Sequence, residues 1–135
     1  PMGAVLFGSK LENTVTPGSH GSTFGGNPIA AAGAISIVKR INDAFLQEVS
    51  EKSDYIVKKL KEIKGVKSVS GMGLMLGIET EKKAADIANK CLEKGLLVLT
   101  AKTKIRLLPA LSITKEETDK GLAILKEVIE DETLA

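Results

Sequence analysis

Apolar residues recur at helical spacing over one long stretch of the chain. Asn27 is a favoured helix cap, Pro28 suits a first helical turn, and Gly65 is a left-handed terminator. The pattern predicts one helix over residues 28–64, about 37 residues or ~55 Å long, either straight or bent near Asn42–Asp43. Because that length exceeds the diameter of a small domain, we expect the helix to connect two bodies. Its apolar positions are Ile35, Val38, Ile41, Phe45, Val49, Ile56, Val57, Leu60 and Ile63.

Beyond Gly65 the apolar spacing alternates between that of strands and that of helices. Two strands are predicted first, then a helix capped by Thr80, two more strands, and a last helix that begins at a capping box of Thr114 and Glu117. The predicted ranges are strands 66–69 and 74–78, a helix over 81–94, strands 96–100 and 104–108, and a last helix lined by Leu122, Leu125, Val128 and Ile129. This order predicts an α+β fold, in which a small, mostly antiparallel sheet is covered by helices.

The stretch before Asn27 follows neither spacing. Ala4–Phe7 is a short strand-like run, and the glycine-rich polar residues 8–27 exclude a long helix. The chain opens at Pro1 without an initiating methionine, so we expect it to be part of a longer protein.

Composition and charge narrow the class of protein. The 135 residues are 43% hydrophobic and 27% charged, which is typical of one globular domain and excludes whole-chain disorder. A net charge of +2 and an aromatic content of 3% argue against nucleic-acid binding, which needs a basic surface or stacking aromatics. We expect no nucleic-acid partner.

The few chemically reactive residues restrict the function further. Cys91 is the only cysteine and falls on the apolar face of its predicted helix, so we expect a buried, inert thiol in a reducing cytoplasm. No apolar run reaches the ~18 residues of a membrane span, and no signal peptide is recognisable, so we expect no membrane association. His20 is the only histidine and lies in no cluster of ligands, so we expect no metal site.

The segment His20–Pro28 is the richest in polar chemistry. It places the hydroxyls of Ser22 and Thr23 and several glycines directly before a predicted helix. Such a turn presents hydroxyl and amide donors to a phosphate, but a solvated turn before a capped helix has the same composition. Both interpretations stay open on the residues alone. A nucleotide P-loop is excluded because no lysine follows the glycines at the required spacing.

Arginine is scarce, and Arg106 stands within an apolar predicted strand. Only Arg40 and Arg106 are arginines among the 19 basic residues. A buried guanidinium at position 106 needs a carboxylate partner, whereas an arginine on an edge strand needs only solvent. These two interpretations also remain open.

Several motifs in order make the whole chain resemble the C-terminal part of the class III, fold-type I pyridoxal-phosphate aminotransferases. The motifs are Pro1–Ala4, His20–Pro28, Gly71–Glu79, Gly95–Val98 and Arg106–Pro109. Two residues depart from the pattern: Ala110 stands where the family often has proline, and Lys102 where it often has a small residue such as glycine. Both lie near Arg106, so they affect the expected substrate more than the family.

The resemblance implies roles for three residues. Thr23 would bind the phosphate of pyridoxal 5'-phosphate, Ser22 would lie beside it near the substrate, and Arg106 would bind a substrate carboxylate. It also implies a homodimer, in which the turn at Thr23 reaches the neighbouring subunit's active site. The family's Schiff-base lysine precedes the segment that matches Pro1–Ala4, so none of the lysines here takes its place. We expect this polypeptide alone to lack catalytic residues, to be inactive, and to hold the cofactor weakly or not at all.

The same resemblance implies the domain organisation. Residues 1–27 would be the remnant of a large cofactor-binding domain, residues 28–64 the long connecting helix, and residues 65–135 the small C-terminal domain. We expect residues 8–27 to be poorly ordered or held by another copy of the chain, because their backbone donors lack native partners.

Two kinds of function compete. The first, which the resemblance implies, is transfer of an amino group between N-acetylornithine and 2-oxoglutarate in arginine biosynthesis, with ornithine, succinylated ornithine and 4-aminobutyrate as alternative donors. The second is a free-standing α+β regulatory module that binds a small ligand. That module would include residues 1–64 in its compact fold, whereas the aminotransferase hypothesis would not.

Overall fold

The computed structural model describes residues 2–133, so Pro1, Leu134 and Ala135, which belong to the predicted segments 1–27 and 65–135, lie outside it. The chain divides into two compact units, Pro1–Phe45 and Leu46–Ala135. The predicted domain boundaries at residues 27 and 64 derive from the resemblance to longer enzymes and stay predictions.

Within residues 2–45, the first unit contains one complete α-helix and a series of turns. Helix α1 spans Pro28–Val38, and the Asn27 side chain accepts hydrogen bonds from the amides of Ile29 and Ala30 at 3.0 and 3.2 Å, which confirms the predicted cap. A short 3₁₀ turn occupies Ser9–Leu11. The strand expected at Ala4–Phe7 is wrong, because no segment among residues 2–133 pairs with it.

The predicted continuous helix over residues 28–64 is also wrong. Helix α1 ends at Val38, and a second helix, α2, begins at Asp43 and ends at Lys61. The amide of Phe45 donates to the Asn42 side chain at 2.9 Å. Asn42 thus caps a new helix, and the position considered for a bend is a complete break. The boundary between the two units falls within α2.

The second unit is built on a four-stranded antiparallel sheet. Its strands are β1 (Val66–Met72), β2 (Met75–Thr80), β3 (Leu99–Ala101) and β4 (Lys104–Leu107), arranged in the order β1-β2-β4-β3. Two further helices follow strands, α3 (Ala84–Glu93) after β2 and α4 (Lys115–Glu130) after β4. This arrangement confirms the predicted α+β class. None of the helices among residues 2–133 is long and apolar enough to cross a membrane.

The hydrogen bonds at the helix starts separate correct from incorrect capping predictions. Thr114 and Glu117 form the predicted capping box at α4, with bonds in both directions between side chain and backbone. Thr80 does not cap α3, because its hydroxyl donates to the carbonyl of Lys82 and the helix begins only at Ala84. Gly65 has φ 92, as a left-handed terminator requires.

The two faces of the sheet differ in burial because side chains alternate along each strand. Leu76, Ile78 and Ile105 point to one face and are buried against the helices. The opposite face carries the partly exposed Gly77 and Arg106. The core also contains Val49, Ile56, Leu60, Ile63, Leu74, Ala84, Ile87, Cys91, Val98, Leu125, Val128 and Ile129. The uncovered face therefore holds the candidate binding residues of this unit.

Candidate functional site

The first candidate site is the turn that precedes α1. It contains two successive hydrogen-bonded turns, one from the Gly25 amide to the Ser22 carbonyl at 3.3 Å and one from the Asn27 amide to the Phe24 carbonyl at 3.2 Å. Gly26 has φ 70, and a Cβ added at Gly25 would lie 3.1 Å from Ser22 Cβ. The left-handed backbone of Gly26 therefore favours glycine, and a side chain at Gly25 would crowd Ser22.

The hydroxyls of this turn are available to a ligand. The side chains of Ser22 and Thr23 are exposed, and neither hydroxyl has a hydrogen-bond partner within residues 2–133. The first amides of α1, by contrast, are occupied by Asn27, so the helix end adds little to anion binding. Two free hydroxyls on a tight glycine turn fit a phosphate group, which accepts hydrogen bonds through several oxygens.

The second candidate site is Arg106 in the second unit. Strand β4 lies between β2 and β3, so the interpretation of Arg106 as an edge-strand residue is wrong. The register places Arg106 directly between Gly77 of β2 and Leu99 of β3. Its Nε is buried and has no hydrogen-bond partner in the described part of the chain. A permanently charged group with an unpaired buried donor fits a carboxylate ligand.

An apolar cavity of about 290 Å³ adjoins Arg106. Leu97, Leu99, Leu108 and Leu122 line it together with the arginine. Because apolar side chains replace part of the surrounding water, an ion pair formed at this position would be stronger than one in open solvent.

Cys91 and His20, the other reactive residues considered in the sequence, form no catalytic or metal-binding cluster within residues 2–133. Cys91 is buried, and the burial raises the pKa of its thiol to about 11, so it is a poor nucleophile at neutral pH. His20 is exposed in the turn before α1. Among residues 2–133, no group of three or more histidine, cysteine, aspartate or glutamate side chains is placed to hold a metal ion.

Sequence reasoning did not place several residues beside Arg106, although Gly77 and Glu79 belong to the motif Gly71–Glu79. Gly77, Glu79 and Lys104 share its face of the sheet, as do Ser68 and Ser70 of β1. Their proximity depends on strand pairing, which no local spacing in the chain reveals. Ser22 and Thr23 belong to the first unit and Arg106 to the second.

Comparison with known proteins finds aminotransferases by sequence and by structure. The family model for class-III aminotransferases matches residues 1–129. The acetylornithine aminotransferase of Haemophilus ducreyi is 41% identical over 133 residues, covering 97% of this chain and 34% of that protein. The corresponding enzyme of Aquifex aeolicus is 44% identical over 130 residues, covering 96% of this chain and 34% of that protein. The chain thus spans about a third of the length of these curated relatives.

The fold of this chain is similar to parts of solved aminotransferase structures. Plasmodium falciparum ornithine delta-aminotransferase matches with a TM-score of 0.71 and 33% identity, covering 90% of this chain and 34% of that one. The N-acetylornithine aminotransferase of Stenotrophomonas maltophilia K279a matches with a TM-score of 0.68 and 33% identity, covering 78% of this chain and 32% of that one.

Proposed function

We propose, since this chain belongs to the class-III aminotransferase family, that it forms the C-terminal third of an enzyme that transfers an amino group between N-acetylornithine and 2-oxoglutarate. The curated relatives named above, at about 40% identity, support this choice of donor. The match of the family model across both units removes the main support for a free-standing regulatory module.

The observation that carries the proposal is the unpaired Nε of Arg106 on an interior strand. Glutamate and 2-oxoglutarate carry a carboxylate next to the reacting carbon, whereas N-acetylornithine exchanges its terminal amino group and carries its carboxylate at the other end of the chain. A guanidinium binds such a group through two parallel hydrogen bonds, which fix its orientation as well as its position. We assign Arg106 this role in the half-reaction of glutamate and 2-oxoglutarate.

The cofactor of the family is pyridoxal 5'-phosphate, and the turn before α1 is suited to its phosphate. We assign Thr23 to the phosphate and Ser22 to the neighbouring substrate region, because both hydroxyls are exposed and without partners in residues 2–133. When bound, the cofactor supplies an electron sink for the carbon that exchanges its amino group. We further propose a homodimer, in which this turn serves the neighbouring subunit.

This chain's own residues bind and orient the reactants. Arg106 holds the carboxylate in one orientation, and the leucines beside it replace part of the water around the ion pair. Thr23 holds the phosphate by hydrogen bonds and so fixes the cofactor's position relative to the substrate. The lysine that bonds the cofactor in this family is proposed to lie outside these residues.

Activity of the complete enzyme against a panel of amino donors tests the proposal. We expect the highest kcat/KM with N-acetylornithine, and lower values with ornithine, succinylated ornithine and 4-aminobutyrate, with 2-oxoglutarate as acceptor throughout. Ornithine is the second candidate donor, because ornithine aminotransferases are among the similar structures. A preference for ornithine would replace the proposed donor, and absence of transamination with all four would refute the function.

A second experiment concerns the 135-residue polypeptide by itself. After incubation with pyridoxal 5'-phosphate and desalting, we expect no visible absorbance to remain with this chain, whereas the complete enzyme retains it. Retention of a cofactor absorbance band by the short chain would contradict the assignment of the cofactor-bonding lysine to a different part of the enzyme.

A further inference from the structure

A hydrogen-bonded network lies beside Arg106 on the uncovered face of the sheet. The Ser68 hydroxyl donates to the Glu79 carboxylate at 3.0 Å, and Lys104 Nζ lies 3.9 Å from the same carboxylate. Lys104 Nζ also donates to the Ser70 hydroxyl at 3.1 Å. The partners of the Glu79 carboxylate are therefore the Ser68 hydroxyl and the Lys104 ammonium group, and not the Arg106 guanidinium.

The register shows why the partner of Glu79 matters. Gly77 lies directly opposite Arg106, and Glu79 follows two residues later on the same face, diagonal to the arginine. Side chains in this diagonal relation have Cβ atoms about 7–8 Å apart, which long side chains span. Glu79 is thus an acidic neighbour that would pair with the guanidinium if it lacked other partners, and such a pair would compete with a substrate carboxylate.

Another carboxylate near the arginine is also engaged. Glu117 lines the same apolar cavity as Arg106. It accepts hydrogen bonds from the amide and the hydroxyl of Thr114 at 2.9 and 2.8 Å. Both of these acidic residues are bound elsewhere, which agrees with the unpaired Nε of Arg106.

Gly77 gives Lys104 the space to reach its partners. A Cβ added at Gly77 would lie 3.4 Å from Lys104 Cδ and 3.6 Å from Ser70 Oγ. The lysine side chain therefore extends from β4 past Gly77 of β2 toward Ser70 of β1. Gly77 is not at positive φ, so its backbone conformation does not itself require glycine.

We propose that Lys104 is a positioning residue, which holds Glu79 away from Arg106 and so keeps the guanidinium free for the carboxylate of the substrate. Ser68 binds Glu79 and Ser70 binds Lys104, so the two serines hold both members of the ion pair in place. Gly77 leaves room for the Lys104 side chain to pass over β2. The inference rests on the proposed function, because it takes Arg106 as the carboxylate-binding residue. It adds two residues, Lys104 and Glu79, that control access to that residue without contacting the substrate.

A double-mutant cycle in the complete enzyme tests this inference. Glutarate serves as a dicarboxylate that binds without reacting, and its Kd is measured by calorimetry for Lys104→Met, Glu79→Gln and the double variant. We expect Lys104→Met to raise the Kd about fivefold, the upper size of an exposed ion pair, because the released Glu79 pairs with Arg106. We expect Glu79→Gln and the double variant to stay within about twofold of wild type.

Non-additivity distinguishes pairing from a simple loss of positive charge. Lys104 could instead act only through the long-range attraction between its positive charge and the ligand. In that case Glu79→Gln alone would tighten binding as much as Lys104→Met weakens it, and the effects of the two changes would add. Lys126→Met removes a lysine charge from an exposed position on α4 and is expected to leave the Kd within about twofold. The KM for 2-oxoglutarate should follow the Kd of glutarate, with kcat unchanged.

The outcomes separate the two proposals. Additive effects, or an unchanged Kd in Lys104→Met, in an enzyme that transaminates normally would overturn the role of Lys104 and leave the function intact. A wild-type enzyme that neither transaminates nor binds glutarate would overturn the proposed function, and the role of Lys104 with it. Unchanged thermal unfolding of each variant shows that the fold is retained.

Discussion

Replacement of Arg106 by methionine is expected to weaken carboxylate binding and, at the same time, to stabilise the fold. Methionine keeps an unbranched apolar stem in the strand but removes every guanidinium donor. Among residues 2–133, Nε of Arg106 is buried without a hydrogen-bond partner, while the side chain as a whole is half-buried. Because this N–H group makes no hydrogen bond, its removal should not lower the free energy of unfolding.

Both effects follow from known magnitudes. A buried unsatisfied donor costs about 1–3 kcal/mol, and because Arg106 is only half-buried we take the lower end, about 1 kcal/mol of stabilisation on its removal. A charge-assisted hydrogen bond to a bound carboxylate contributes about 1.5–3 kcal/mol, which corresponds to roughly a 10- to 100-fold rise in KM. Stability and binding thus change in opposite directions, as they do where a group is kept for function.

Two measurements check this prediction. Urea unfolding of the 135-residue chain, followed by circular dichroism, should show a midpoint raised by about 0.3–1 M for an m-value of 1–3 kcal/mol/M. The KM for 2-oxoglutarate is measured in the complete enzyme. Arg40→Met makes the same change at an exposed position, where the arginine donates to the Ser36 hydroxyl, and should alter stability by less than about 0.5 kcal/mol.

The result that would refute the reasoning is a loss of stability. If Arg106→Met lowered the free energy of unfolding by more than about 1 kcal/mol, the guanidinium would be part of a structural ion pair and not a free ligand-binding group. An unchanged KM would contradict its role in binding.

The remaining predictions concern the stability and reactivity of the second unit. Thr114→Ala should lower the free energy of unfolding by about 1 kcal/mol, because it removes half of the capping box, whereas Thr103→Ala at an exposed position should not. Hydrogen bonds from Thr114 also lower the pKa of Glu117, so their stabilisation is present above the unfolded value of 4.5 and is lost as the pH falls through the folded value. Urea titrations from pH 6 to pH 3 should therefore show a weaker loss of stability in Thr114→Ala, and equal losses would contradict the cap. Lys102 has a φ of 56, a left-handed conformation that costs a residue with a side chain about 1 kcal/mol, so Lys102→Gly should raise the midpoint of thermal unfolding. A lower midpoint would show that the lysine side chain is needed. Cys91 should react with a thiol reagent at pH 8 only as the chain unfolds, because burial raises its pKa to about 11, and rapid modification of the native chain would contradict its burial.

Local patterns predicted the helix starts that depend on neighbouring residues. Asn27 caps α1, and Thr114 and Glu117 form the box at α4, because each of these interactions is completed within three or four residues. The break at Asn42 was within reach of the same reasoning, since asparagine is a strong cap. It was missed because the apolar spacing continues across it.

The sequence by itself determined the family and the α+β class, because motifs and helical or strand periods are properties of short segments. The roles of Ser22, Thr23 and Arg106 stay proposals. Only the tertiary structure decided that β4 is an interior strand, that Gly77 faces Arg106, and that Lys104 pairs with Glu79. Strand order and register are settled by contacts between distant segments, and a shift of one residue would turn every side chain to the opposite face. For that reason the proposed role of Lys104 and Glu79 rests on the pairing of strands, which the motif Gly71–Glu79 by itself does not reveal.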